Sequence, residues 1–173
     1  DEWFAGAGKC KLLTDGYEAG MTRYLKLTDD VTVTSPGTYY LNSGNYQVNV
    51  YWDLNGHTLT YKTQDTTGAA RFFGCYNQNA TVTLANGTLD NQSAITGSHG
   101  GIFTVNKGHM VLENMVVRDM GTHAFTAMGK VFSVNAGNSL TMNNVDFYLN
   151  NTNTAKTGKG GAIRCLGTLN MTD

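Results

Sequence analysis

The sequence predicts an all-β chain folded as a parallel β-helix, a solenoid of about 29 residues per rung behind an N-terminal cap. Three observations predict it. First, an Asn or Asp that closes an apolar-x-apolar run recurs at Asn86, Asn114, Asn144 and Asp173, in steps of 28, 30 and 29 residues. Second, an independent landmark upstream recurs at Cys75, Val105, Val134 and Cys165, in steps of 30, 29 and 31. Third, apolar residues alternate within each copy, as in Phe103/Val105, Met110/Leu112 and Met115/Val117, and again in Phe132/Val134, Leu140/Met142 and Val145/Phe147. Alternation marks strands, so each copy holds three short strands joined by turns. Three strands cannot bury their apolar faces alone. Stacking the copies about 4.8 Å apart buries a continuous core and pairs the backbones in parallel.

Stacking places the recurrent Asn and Asp over one another. Asn55, Asn86, Asn114, Asn144 and Asp173 are therefore expected to form a ladder of side-chain hydrogen bonds along the axis. The same residues also suit a turn, because Asn tolerates the left-handed backbone region. Either role is structural.

Taken in order, residues 1–23 do not fit the repeat and form one expected unit, the cap. An open solenoid end exposes core and strand edges, and Trp3, Phe4, Leu12 and Leu13 are the expected plugs. Residues 24–173 form the second unit, the β-helix. Tyr24–Leu27 and Val31–Val33 alternate and read as strands, with Asp29-Asp30 a solvated turn between them. Ser35-Pro36-Gly37 is a turn, Thr38–Leu41 and Gln47–Tyr51 are strands, and Trp52–Thr60 contains the first turn landmark, Asn55. Lys62–Ala70 reads as a polar loop. The repeat proper then runs from Arg71 to Asp173, with Gly-rich loops at 97–101 and 158–161.

Composition narrows the partners. Charged residues make up 14% of the 173, the net charge is −1, and Thr, Gly and Asn dominate. No basic footprint for nucleic acid or an anionic membrane is present, and no run suits membrane insertion. Cys75 and Cys165 occupy one inward position three rungs apart, about 14 Å at the strand spacing, too far for a disulfide. They are expected to be small buried hydrophobes. Cys10 has no partner visible in the sequence. No CxxC or Cys/His cluster is present, so neither a metal nor a cofactor is expected.

A resemblance enters with the phrases Tyr39-Tyr-Leu, Asp53-Leu-Asn-Gly-His-Thr-Leu, Gly87-Thr-Leu, Gly160-Gly-Ala-Ile and Gly167-Thr-Leu-Asn-Met-Thr. Over residues 38–173 the chain resembles large cell-surface proteins of Gram-positive gut bacteria that carry pectate-lyase-like, right-handed parallel β-helix repeats. The resemblance implies a right-handed solenoid in a secreted or wall-attached, adhesin-like module. It does not imply pectin cleavage, since the shared residues are those of turns and stacking.

Enzymes on this fold need carboxylates on the outward face of a long parallel sheet. By alternation, the outward positions of the first strand in each copy are Phe72/Gly74/Tyr76, Ile102/Thr104/Asn106, Val131/Ser133/Asn135 and Ala162/Arg164/Leu166. They include no Asp or Glu. His99, in Ser98-His99-Gly100, resembles the Gly-His-Gly element of β-helix polygalacturonases but lacks the accompanying carboxylates. His57, His109 and His123 show no partner in the sequence. The row Phe72, Ile102, Val131 and Ala162, extended by Arg164, Tyr76 and Tyr148, is a candidate apolar interaction face. Alternatively, the Gly-rich loops or Thr122–Met128 cover it.

The chain starts at Asp1 rather than Met and stops at Asp173 in mid-rung, which reads as a truncated solenoid whose partner is the downstream remainder of the protein. Three functions follow as expectations. One is an extracellular, adhesin-like or structural module without its own catalytic site, whose partner is a host or cell-wall glycan or protein. Another is a self-processing surface protein cleaved beside Thr172 and Asp173. The third is an incomplete polysaccharide lyase or hydrolase with its catalytic residues downstream.

Overall fold

The computed structural model describes residues 18–34, 38–43, 47–65, 71–97, 103–125, 131–149 and 162–173. Within them lie β1 (Thr22–Lys26), β2 (Val31–Val33), β3 (Thr38–Ser43), β4 (Asn49–Asp53), β5 (Thr58–Tyr61), β6 (Gln64–Asp65) and β7 (Arg71–Asn91). Then follow β8 (Ala94–Gly97), β9 (Phe103–Asp119), β10 (Thr122–Phe125), β11 (Phe132–Val134), β12 (Ser139–Leu149), β13 (Ile163–Cys165) and β14 (Thr168–Thr172). No helix occurs among the described residues, and every strand pair is parallel. The chain is an all-β solenoid with about 29 residues per turn.

The register shows the stack column by column. Val50 pairs with Val82, Val82 with Met110, Met110 with Leu140, and Leu140 with Leu169. One step along the inward face runs Trp52, Leu84, Leu112, Met142 and Met171. Leu59, Leu89, Val117 and Phe147 form a third column, and Cys75, Val105, Val134 and Cys165 a fourth. Most of these side chains are excluded from water, and each such residue contributes roughly 1.5–3 kcal/mol. Phe103 and Phe132 stack with ring centroids 4.8 Å apart, and Phe147 packs against Phe132 at 5.9 Å. Cys75 and Cys165 are unbonded to each other, as their positions three rungs apart require.

Three copies hold a strand, among the described residues, that alternation alone did not show. β10, β8 and β6 make a separate three-stranded parallel sheet, with Gln64 opposite Ala94 and Ala94 opposite Thr122. Gln64–Asp65 lies in the stretch expected to be a loop, and Thr122–Phe125 in the segment considered as a cover. At the other end, β1 begins at Thr22, inside the segment assigned to the cap. The expected plugs, with Cys10, lie outside the described residues.

The long strands β7, β9 and β12 turn a corner without breaking their pairing. At that corner Asn86, Asn114 and Asn144 have φ of 57°, 50° and 52°, and Asn55 has 53°. The left-handed region costs most residues roughly 1–2 kcal/mol but is tolerated by Asn. Asn114 Nδ2 donates to Asn86 Oδ1 at 3.3 Å, and Asn144 Nδ2 donates to Asn114 Oδ1 at 3.0 Å. Turn and ladder are thus one device.

Asn55 does not extend that ladder as expected. Asp53 pairs with Ala85 and Thr58 with Thr88, so Leu54–His57 stands opposite only Asn86-Gly87. This longer turn moves Asn55 out of the stack. Its Nδ2 donates to Leu27 O at 3.2 Å, while Asn86 Nδ2 donates to Asp53 Oδ1 at 3.1 Å. Gly87 accommodates the larger turn: a Cβ there would lie 2.4 Å from Leu54 Cβ.

The opposite corner repeats this nesting. Gly108 (φ 91°) lies against the preceding rung, where a Cβ would stand 2.1 Å from Asn77 O and 2.6 Å from Ala80 O. Gly137 (φ 78°) has open space around it. Gly108→Ala is therefore expected to lose roughly 1–3 kcal/mol more than Gly137→Ala. Urea denaturation checks this, and equal losses would show that the rungs do not press together at Gly108. At the asparagine corner, Asn114→Gly removes the ladder but keeps the backbone geometry. Asn114→Ala removes both and is expected to cost about 1 kcal/mol more in the same assay.

Candidate functional site

The candidate apolar interaction face is closed at Val131 and only partly covered at its other described positions. Val131 is fully buried and belongs to the core cluster, while Ala162 and Arg164 are half-buried. Thr104 and Ser133, outward on the same strands, are also buried. Parallel sheets are commonly covered on both faces, and this side of the first strands is covered at Thr104, Val131 and Ser133. The side chains of Phe72 and Ile102, and His99, lie outside the described residues. Tyr76 is exposed with Lys107 Nζ 5.2 Å from its ring centroid, and Tyr148 is exposed on another side of the solenoid. The row therefore does not form an open stripe at Val131.

The other expected positions are also separated. Thr172 Oγ1 donates to Asn143 Oδ1 at 2.8 Å, its register partner one rung back, and Asp173 is exposed next to it. Asn91, Ser93 and Asp119 form a buried polar corner instead of surface groups. Asn91 Nδ2 donates to Asp119 Oδ1 at 2.7 Å, and the Ser93 hydroxyl donates to Asn91 Oδ1. This is a second ladder, legible in the 28-residue step from 91 to 119. Asn135 Nδ2 donates to Asn106 Oδ1 at 3.1 Å and makes a third.

Two histidines gain partners only through stacking. His57 Nδ1 lies 3.4 Å from Asp30 Oδ1, which also accepts the Thr58 N–H at 2.8 Å. His109 Nδ1 and Ser139 Oγ are 2.7 Å apart, side by side on adjacent rungs. The 30-residue step between them is within one residue of the period, and that was the available signal.

The best-defined open surface is the outward side of β1, β4, β7, β9, β12 and β14. Their register arranges it as three lanes along the axis. The middle lane is Tyr24, Tyr51, Thr83, Val111, Thr141 and Asn170. On one side run Asn49, Thr81, His109 and Ser139; on the other run Lys26, Asp53, Ala85, Glu113 and Asn143. Alternation puts the lanes on the side opposite the Val50 and Trp52 core columns, although Ala85 within them is fully buried.

Tyrosine marks one end of this face. Tyr24 is 75% exposed, and its ring centroid lies 5.8 Å from that of Tyr51, with the planes tilted by 43°. Asp53 is held in place: its Oδ1 accepts the Asn55 N–H at 2.9 Å as well as the Asn86 amide. Burial raises the Tyr51 phenol above its ordinary value of 10.0, and the carboxylates of Glu113 and Asp53, with Tyr24, push the same way. The face therefore combines an exposed aromatic group with fixed hydrogen-bond acceptors. Among the described residues no group of three His, Cys, Asp or Glu is placed to hold a metal ion, and no helix is long and apolar enough to cross a membrane.

Because the folded chain holds the Tyr51 proton more tightly than the unfolded chain, this group leaves stability undiminished below pH 10.0. It withdraws stability as the pH rises through the folded-state value. In ultraviolet titration, Tyr51→Phe is expected to remove a phenol that ionises later than an unperturbed tyrosine. The variant should also lose less stability in alkali than the parent chain. Loss of a phenol with ordinary titration would show that the carboxylates do not act on Tyr51.

No protein-family model, no curated protein and no solved structure matches this chain.

Proposed function

We propose that the chain is an extracellular, surface-displayed module of the adhesin-like type, which carries binding groups at fixed positions on a rigid stack. The three-lane face carries this reading. Tyr24 and Tyr51 project from consecutive strands, and the Asp53 carboxylate beside them is anchored by two hydrogen bonds. Main-chain pairing and the asparagine ladder hold the underlying rungs in register. Groups fixed in this way lose little conformational freedom when a partner binds. Tyrosine suits such a surface because it supplies a large amphipathic contact area with few rotatable bonds.

The test is display. An antibody raised against the chain should label intact source cells, and brief external protease treatment should remove the label. Antigen detected only after lysis would overturn the reading.

A further inference from the structure

The geometry points to a neutral glycan as the ligand of the three-lane face, bound along the solenoid axis with one sugar ring against the Tyr24–Tyr51 pair. This inference rests on the surface-module reading above and adds the ligand class. Three features of the face carry it.

The first is the aromatic pair. The axial faces of many pyranose rings are covered by C–H groups, which pack on the electron-rich face of an aromatic ring. Tyr24 offers such a face to solvent at 75% exposure, with Tyr51 tilted beside it. The Tyr24 ring is large and open, so its face is available for an apolar contact.

The second is the repeat along the axis. Successive rungs are about 4.8 Å apart, close to the advance per sugar in an extended glycan. A chain lying over Tyr24 and Tyr51 continues over Thr83, Val111 and Thr141, meeting one rung per sugar. The flanking lanes offer hydroxyl, amide, imidazole and carboxylate groups to the sugar hydroxyls, through Asn49, Thr81, His109 and Ser139 on one side and Asp53 and Glu113 on the other.

The third is charge. Asp53 and Glu113 lie close enough to Tyr51 for their charges to raise its phenol. Lys26 is the lone cation of the three lanes. Two carboxylates beside the aromatic pair accept hydrogen bonds from hydroxyls but repel a uronate or sulfated sugar. The face therefore selects uncharged hexoses over acidic polysaccharide.

The experiment is isothermal titration of the 173-residue chain with cellohexaose, laminarihexaose and mannohexaose, and with hexagalacturonate as the acidic counterpart. At least one neutral hexasaccharide is expected to bind, and hexagalacturonate is not. Tyr24→Ala should weaken binding at least tenfold, whereas Tyr24→Phe, which keeps the ring, should stay within a few-fold of the parent. Because Tyr24 is exposed, both variants should retain the parent's thermal unfolding midpoint, which separates lost binding from lost folding. The inference is overturned if none of the neutral sugars binds, if hexagalacturonate binds equally, or if Tyr24→Ala binds like the parent. A chain displayed on cells that ignores these sugars leaves the surface-module reading standing. A chain that binds them but is never displayed does the reverse.

Discussion

Everything in this solenoid depends on a left-handed turn that also hydrogen-bonds along the axis. At Asn86, Asn114 and Asn144 the backbone adopts a positive φ that bends β7, β9 and β12 around the corner. The side chain freed by that bend then reaches its equivalent in the neighbouring rung. Each bond is worth about 1 kcal/mol by itself. Their larger effect is on register. A strand that slipped by one residue would turn Leu84, Leu112 and Met142 outward and break the ladder at the same time, so packing and polar pairing specify one alignment.

Given that alignment, the rungs from β4 onward vary mainly in corner length, while β3 pairs with β7 in an irregular register. The Leu54–His57 turn and its two-residue successor Asn86-Gly87 differ in size, yet the strands on either side stay paired. Glycine makes this tolerable, because at positions 87 and 108 the absence of a Cβ lets a smaller corner lie under a larger one. Asn138 serves the same corner in the opposite sense. Its Oδ1 accepts the Gly108 N–H at 2.8 Å, and its Nδ2 donates to Asn106 O at 3.1 Å. Polar side chains fill what the longer corner leaves unpaired, as buried backbone groups require.

Rigidity of this kind is also what the proposed recognition by the outward face would draw on. Tyr51 and Asp53 belong to β4, whose inward residues Val50 and Trp52 are locked in the core, and Tyr24 lies on β1, which pairs with β4 in register. Their spacing is therefore set by main-chain hydrogen bonds and not by loop conformation. Under the proposed reading, a face built like this would gain affinity by being ready beforehand.

The chain's own sequence was sufficient for the period, the strand alternation, the stacked cysteine positions and the asparagine corner. Each is a translational property: residues one period apart must coincide, and residues two apart must share a face. The same arithmetic contained the Asn91–Asp119 and His109–Ser139 pairs, which follow from steps of 28 and 30. What one dimension could not decide was lateral. Alternation says that Val131 points away from the rung's interior, but whether that side meets water depends on other segments of the chain, and here it is buried. Asn55 kept the repeat's residue type and nearly its spacing, yet two extra residues in its turn gave its ladder place to Asp53. Strand period is local and survives in the sequence. Coverage and insertion are settled by distances through space, and only the tertiary structure holds those.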